Sequence, residues 1–249
     1  MDAPLKSLFV VSLPRSLSSL VYRVAARALG LAEPIWTMDG EILNVDRLAH
    51  YRGPRFDEGA KFTTRERDPV LFQKLTDFLG EVVVPRGYAY KDVVHPFVVA
   101  EWAGLQRFGV LAIQRDVCDV AYAMLERRWF YPKEAARRGT DPELAVIEGL
   151  LRAEAALATA PGAVIRYDDL IADEQALRGV LRSLYPTAEL APIRYIDEHF
   201  ALQRDLQLRR RRSARYHEIQ RKIEEVRRVL ARLPASDAGL RDPPLRARC

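Results

Sequence analysis

Three short apolar runs, each containing β-branched residues, are separated along the chain by longer segments with helical periodicity. They cover residues 8–11, 110–113 and 163–165. Short, continuously apolar runs of this kind are typical of strands that are buried on both faces of a sheet. Because helical segments separate them, right-handed crossovers must join the strands, which then lie parallel. The sequence therefore predicts an α/β fold, a three-layer sandwich with a central parallel sheet and many flanking helices.

The helical segments have recognisable starts and stops. Asp68-Pro69 and Asp141-Pro142 each combine a capping carboxylate with proline at the first helical position, and Gly30 and Gly80 follow apolar faces as stops. The predicted helices cover residues 17–29, 69–79, 96–108, 119–130, 141–160, 174–184 and 213–233. A further strand is expected at 82–84 or 88–90. We expect one domain over 1–234, an acceptor-side insertion or lid at 33–67, and a disordered tail at 235–249.

Charge and cysteine content exclude several classes of protein. The 39 Lys and Arg residues exceed the 34 Asp and Glu residues, giving a net charge of +5. This excess suits a polyanionic ligand but is modest for a dedicated nucleic-acid binder. Two distant cysteines and four scattered histidines give no disulfide framework or zinc spacing. No signal peptide or membrane span is recognisable, so the cytoplasm is the expected location. The oligomeric state cannot be read from the sequence.

The turn after the first strand has the features of a phosphate cradle. A strand, residues 12–19 and a helix follow one another, and a helix start offers free N–H groups and a positive dipole end. Three serine hydroxyls and the Arg15 guanidinium add donors for an anion. In the alternative interpretation, Ser16 or Ser18 only caps the helix and Arg15 is solvated. Neither a Walker loop nor a G-x-G-x-x-G fingerprint is present.

This stretch resembles the 5′-phosphosulfate loop of sulfotransferases that use 3′-phosphoadenosine 5′-phosphosulfate. Their pattern is an apolar strand followed by Pro-Arg-Ser-Gly-[Ser/Thr]-[Ser/Thr]-Leu, and Leu17 replaces the glycine here. Residues 110–124 resemble the 3′-phosphate segment of the same family, with Val117 replacing a proline and Ala123 standing where a serine is usual. Residues 165–170 resemble its Arg-Tyr-Glu-Asp-Leu segment. Together the resemblance covers about residues 7–185.

The resemblance implies transfer of a sulfuryl group from that donor to a hydroxyl or amine. The acceptor could be a small molecule, a carbohydrate or a lipid, and no metal is expected. The implied nucleotide-binding residues are Pro14, Arg15, Ser16, Leu17, Ser18, Ser19 and Arg115. Arg209 and Arg210, in a run of four arginines at 209–212, could close over the phosphates as a basic C-terminal segment does in many sulfotransferases. They could equally be solvated.

Several residues are candidates for the chemistry. Lys91 resembles the lysine that neutralises the bridging oxygen in the family, and it could also be a solvated lysine. His95 could be the general base because the pKa of a free histidine lies near neutrality. Glu41, Asp39 and His50, in the polar insertion, compete for that role.

Two other functions remain open at this point. A small-molecule kinase would also need a phosphate loop, although the Walker lysine is missing. A non-catalytic nucleotide- or RNA-binding module is the second alternative, since Leu17, Val117 and Ala123 could mark a decayed site.

Overall fold

A parallel β-sheet forms the centre of the computed structural model, which describes residues 4–48, 61–131, 141–193 and 197–232. Within these ranges the sheet has four strands, β1 (Leu8–Ser12), β2 (Ala89–Asp92), β3 (Gly109–Gln114) and β4 (Ala163–Arg166). Their order across the sheet is β2-β1-β3-β4, and every neighbouring pair is parallel. The three predicted strands are confirmed, and the fourth follows the 88–90 alternative because Val82 belongs to a helix.

Helices cover both faces of this sheet, so the predicted three layers are present. Phe9 and Val11 of β1 point into one apolar cluster, and Leu8 and Val10 point into another on the opposite face. This alternation follows from the two-residue period of a strand. Every residue of β1 is buried, which explains why its sequence is apolar throughout.

The helices of the described residues are nine in number. They are α1 (Ser18–Leu29), α2 (Pro69–Val82), α3 (Pro96–Glu101), α4 (Val117–Leu125), α5 (Pro142–Leu157), α6 (Tyr167–Ala172), α7 (Glu174–Leu184), α8 (Asp197–Arg211) and α9 (Ala214–Leu230). Two 3₁₀ turns cover Val45–Arg47 and Ala103–Arg107. None of the helices in the described ranges combines the length and the apolar character that a membrane crossing would need.

Several predicted helix boundaries were wrong. The helix expected to stop at Gly80 continues to Val82, and the one expected over 96–108 ends at Glu101 before a 3₁₀ turn. α4 starts at Val117, two residues early, because the Asp116 carboxylate accepts hydrogen bonds from the next backbone N–H groups. α8 was not predicted, since its apolar residues are few and its sequence is dominated by charged and polar side chains.

The described part of the predicted insertion packs against the sheet. The Lys91 N–H donates to the Gly40 carbonyl at 2.8 Å, and the Ile42 N–H donates to the Lys91 carbonyl at 3.3 Å. Ile42 and Leu43 are fully buried in the core. This part therefore extends the sheet beside β2, although its sequence was interpreted as polar. Residues 49–60, which include His50, and the tail at 235–249 lie outside the described residues.

Candidate active site

A cavity of about 830 Å³ opens at the carboxyl ends of the strands. Such an edge is where parallel α/β sheets bind ligands. The cavity is lined by ten of the predicted site residues: Pro14, Arg15, Ser16, Leu17, Ser18, Ser19, Glu41, Lys91, Arg115 and Arg210. His95 and Arg209 are not among its lining residues. The fold therefore gathers into one cavity residues that are up to 196 positions apart in the chain.

The loop between β1 and α1 has an unusual backbone. Arg15 and Leu17 have φ angles of 64° and 59°, with Ser16 between them outside this left-handed region. Backbone that alternates in this way forms concavities in which N–H groups converge on an anion. Leu17 is the N-cap of α1, and no side chain makes a cap hydrogen bond there. The geometry therefore does not support Ser16 or Ser18 as a simple helix cap and leaves the helix start open to a ligand.

Leu17 makes this loop costly for the chain to form. Left-handed backbone disfavours a residue with a Cβ by about 1–2 kcal/mol, whereas glycine adopts it freely. A glycine, which the sulfotransferase pattern has at this position, would adopt the left-handed backbone without strain. Leu17 nevertheless adopts the left-handed region, so the loop forms this turn with a leucine in place of a glycine.

Lys91 links the first turn of α1 to a carboxylate. Its ammonium group is buried and donates to the Ser19 Oγ at 2.8 Å and to the Glu41 Oε2 at 3.1 Å. Asn44 donates to the other Glu41 oxygen at 2.7 Å, which fixes the orientation of the carboxylate. An ammonium has three N–H donors, and the described residues engage two of them, which leaves one for a ligand. A cation, a hydroxyl and a carboxylate are thus held together beside the start of α1.

Arg115, which follows β3, holds the loop between β1 and α1 through a backbone carbonyl. Its guanidinium donates to the Arg15 carbonyl oxygen and lies over the Tyr167 ring, 4.0 Å from the ring centroid. Burial lowers the pKa of Arg115. Its Nε is buried and has no hydrogen-bond partner among the described residues. Arg115 therefore holds the loop in shape as well as lining the cavity.

Further guanidinium groups give the cavity rim a positive potential. Arg15 lies 5.5 Å from the Trp129 ring centroid, and Arg210 lies 5.8 Å from that of Tyr122. Arg127 also lines the cavity. Burial, then the charges of Arg127, Arg115 and Arg210, lower the pKa of Arg15. A bound anion would relieve this mutual repulsion.

α8 forms the wall that carries Arg210. Gln207 donates to Asp119 at 2.9 Å and to Asp168 at 2.8 Å, and Arg211 donates to the same Asp119 carboxylate at 2.6 Å. These contacts fix α8 on α4 and α6. Arg209 points to solvent instead, because neighbouring residues on a helix point in directions about 100° apart. Sequence reasoning missed this helix and hence the anchoring role of Asp119.

Two of the other candidate bases are not among the residues that line the cavity. His95 is the N-cap residue of α3, is buried, and has its pKa lowered to about 3 by desolvation and by the charge of Lys61. Its backbone N–H donates to Asp92, whose own pKa burial raises to about 7. Asp39 forms an ion pair with Arg23. Of the candidate bases among the described residues, Glu41 is therefore the one that lines the cavity.

A second side of the cavity was not recognised in the sequence. Lys61 donates to Asp46 at 3.2 Å, and its ammonium lies 5.2 Å from the Tyr131 ring centroid. Tyr131 in turn stacks on Phe62, with ring centroids 6.4 Å apart. These residues lie in or beside segments without regular periodicity. The sequence therefore carries no local signal that they are in contact. In the described parts of the chain, no group of three or more His, Cys, Asp or Glu side chains could hold a metal ion.

Comparisons with known proteins add two similar structures. No protein-family model matches the chain, and no curated protein matches its sequence significantly. The sulfotransferase domain from the curacin biosynthetic pathway is 17% identical, with a TM-score of 0.42 over 74% of this chain and 75% of its own. A sulfotransferase from Alicyclobacillus acidocaldarius is 13% identical, with a TM-score of 0.41 over 91% and 96%. Both similar structures are sulfotransferases. Because both TM-scores are low, we take the function from the chain's own residues.

Proposed function

We propose that the chain is a sulfotransferase, which moves a sulfuryl group from 3′-phosphoadenosine 5′-phosphosulfate to a hydroxyl or amine of a small acceptor. One observation carries the proposal. Lys91 donates hydrogen bonds to Ser19, in the first turn of α1 directly after the loop, and to the Glu41 carboxylate, at 2.8 and 3.1 Å. An anion-binding loop and a potential general base are thus separated by a single ammonium group.

The chemistry of sulfuryl transfer fits this arrangement. Like phosphoryl transfer, it needs alignment, neutralisation of the leaving group and a base for the acceptor. The acceptor oxygen or nitrogen attacks sulfur, and the bond between sulfur and the bridging oxygen breaks. Its electron pair stays on the 5′-phosphate of the departing 3′,5′-adenosine bisphosphate. The acceptor proton passes to Glu41.

Glu41 and Lys91 are suited to act in sequence. While Glu41 is ionised, its negative charge offsets that of the Lys91 ammonium, which it contacts at 3.1 Å. When Glu41 takes the acceptor proton, the Lys91 charge is no longer offset. That charge is then available to the bridging oxygen, where negative charge develops as the bond breaks. Proton transfer and leaving-group stabilisation would in this way be coupled.

The cavity also suits the donor in size and charge. Its volume of about 830 Å³ is within the range of sites for ligands of this size. The open start of α1 and the alternating loop backbone favour the 5′-phosphosulfate group. We assign the 3′-phosphate to the guanidinium groups around Arg15, namely Arg115, Arg127 and Arg210, whose charges lower the pKa of Arg15.

Calorimetry with two nucleotides tests the donor assignment. We expect 3′,5′-adenosine bisphosphate to bind at least about tenfold more tightly than adenosine 5′-monophosphate, since one charged contact contributes about 1.5–3 kcal/mol. Arg115→Ala should remove most of the difference if its guanidinium contacts the second phosphate. Equal affinities would contradict the 3′-phosphate assignment.

Turnover separates the proposal from its rivals. Incubation with the phosphosulfate donor and a panel of hydroxyl and amine acceptors should release the bisphosphate. Phosphorylation of the same acceptors with ATP and magnesium would instead indicate a kinase. Salt-sensitive binding to RNA, without binding to either adenosine nucleotide, would indicate a nucleic-acid-binding module.

A further inference from the structure

The loop between β1 and α1 contains two residues in the left-handed region, and each is held by a different kind of contact. The backbone carbonyl of Arg15 accepts a hydrogen bond from the Arg115 guanidinium. The side chain of Leu17 packs, together with Leu20, against a small apolar cluster. That cluster consists of Tyr167 and Ile171 of α6 and Phe200 of α8, all of which are buried.

The two contacts meet at one residue. The Arg115 guanidinium that holds the Arg15 carbonyl also lies over the Tyr167 ring, at 4.0 Å. Tyr167 belongs as well to the apolar cluster that receives Leu17. Both strained positions of the loop are therefore tied to the cluster that contains Tyr167, one through a cation and one through a leucine side chain. A glycine at position 17 would form only the first of these links.

We propose that Leu17 is a positioning residue that clamps the nucleotide loop to α6 and α8. The side chain offsets the strain of its own backbone by burying apolar surface against the cluster of α6 and α8 residues. α8 also lines the cavity through Gln203, Leu206 and Arg210. The clamp thus fixes the distance between the N–H groups of the loop and the cation on α8.

This role explains why a leucine is compatible with an anion-binding loop. Glycine would remove the backbone strain but would leave the loop free to sample other conformations in the absence of ligand. Leu17 accepts the strain and limits that freedom. A loop that is ordered before the ligand arrives loses less entropy on binding.

Substitutions at Leu17 separate the clamp from the strain. We expect Leu17→Gly to weaken 3′,5′-adenosine bisphosphate binding about tenfold, as measured by calorimetry on the folded protein, although the strain is relieved. Leu17→Met, which keeps a long apolar side chain, should stay within about threefold of the original affinity. Val24→Ala is the matched control, because Val24 is a partly buried apolar residue of the same helix that packs on the other cluster. Its affinity should be unchanged.

The inference rests on the proposed function only for the choice of ligand. Amide hydrogen exchange of residues 14–19 without nucleotide gives a second measurement, in which Leu17→Gly should exchange faster than the original protein and Val24→Ala should not. Binding of the bisphosphate by Leu17→Gly as tightly as by the original protein would overturn the clamp. If the original protein binds no bisphosphate, the proposed function fails, and the exchange rates alone decide whether the clamp exists.

Discussion

Two lysine–carboxylate pairs line the cavity. The distance between the ammonium and the carboxylate is nearly the same in both pairs, but the burial of their side chains differs. Lys91 and Glu41 are 3.1 Å apart with side chains 1% and 8% exposed. Lys61 and Asp46 are 3.2 Å apart, but their side chains are 16% and 58% exposed. The first pair makes further hydrogen bonds with Ser19 and Asn44, whereas the second makes one with the Tyr131 hydroxyl, at 3.4 Å. Burial, and not distance, determines which pair can carry the chemistry.

The enclosed pair is expected to control stability far more than the open one. Lys91→Met would leave the Glu41 carboxylate buried without its cation, and breaking a buried pair in this way costs about 3–5 kcal/mol. Lys61→Met should cost only about 1 kcal/mol, near the range for surface pairs, because the Asp46 carboxylate that it leaves behind is 58% exposed and stays hydrated. Urea unfolding measures both. If Lys91→Met lost no more stability than Lys61→Met, the contrast between the pairs would be wrong.

A double variant makes this prediction sharper. Replacing both partners, as Lys91→Met with Glu41→Gln, removes the uncompensated charge along with the pair. Much of the stability lost in Lys91→Met should therefore return. A double variant that is less stable than Lys91→Met alone would show that the charge left on Glu41 is not the cause of the loss.

The rate of sulfuryl transfer should depend strongly on the carboxylate of Glu41 and weakly on that of Asp46. Glu41→Gln keeps the shape and an oxygen acceptor for Lys91 but cannot take a proton, so the transfer rate should fall by about a hundredfold or more. The bisphosphate affinity should not fall, because neutralising Glu41 leaves the Lys91 charge available to the 5′-phosphate. Asp46→Asn is the matched control and should lower the rate by less than about threefold. Similar losses in both variants would remove the base role from Glu41.

The smallest expected effect is on donor affinity at the open rim. Arg210 lines the cavity, whereas Arg209, its neighbour on α8, points to solvent. Arg210→Ala should weaken bisphosphate binding by about tenfold, the value of one charged contact. Arg209→Ala should leave the affinity within about twofold. Equal effects of the two variants would mean that the run of arginines acts only through its total charge.

The sequence predicted the side of the cavity around Lys91 and Glu41 better than the side around Lys61 and Asp46. The reason is physical. Short buried strands and the loop that follows β1 carry local signals, so the sheet and the residues from Pro14 to Ser19 could be recognised. Glu41 and Lys91 were named as separate candidates, but their contact depends on the pairing of residues 40–42 with β2, for which the sequence has no periodic pattern.

What the sequence could not provide is long-range packing. α8 lacks a continuous apolar face. It is held against the neighbouring helices by polar contacts to Asp119 and Asp168, and such contacts leave no periodic pattern in the sequence. His95 was a reasonable candidate base from its free pKa, yet the fold buries it, and this burial lowers that pKa. A residue's own chemistry is visible in the sequence, whereas its burial is not.

The location of bound 3′,5′-adenosine bisphosphate tests the central claim most directly. In a crystal structure of the complex, we expect the 5′-phosphate to accept hydrogen bonds from the N–H groups at the start of α1 and from the Lys91 ammonium. The 3′-phosphate should lie among Arg115, Arg127 and Arg210. A 5′-phosphate held only at the open rim, or a nucleotide bound outside the cavity, would contradict the assignment of Lys91 and Glu41 to sulfuryl transfer.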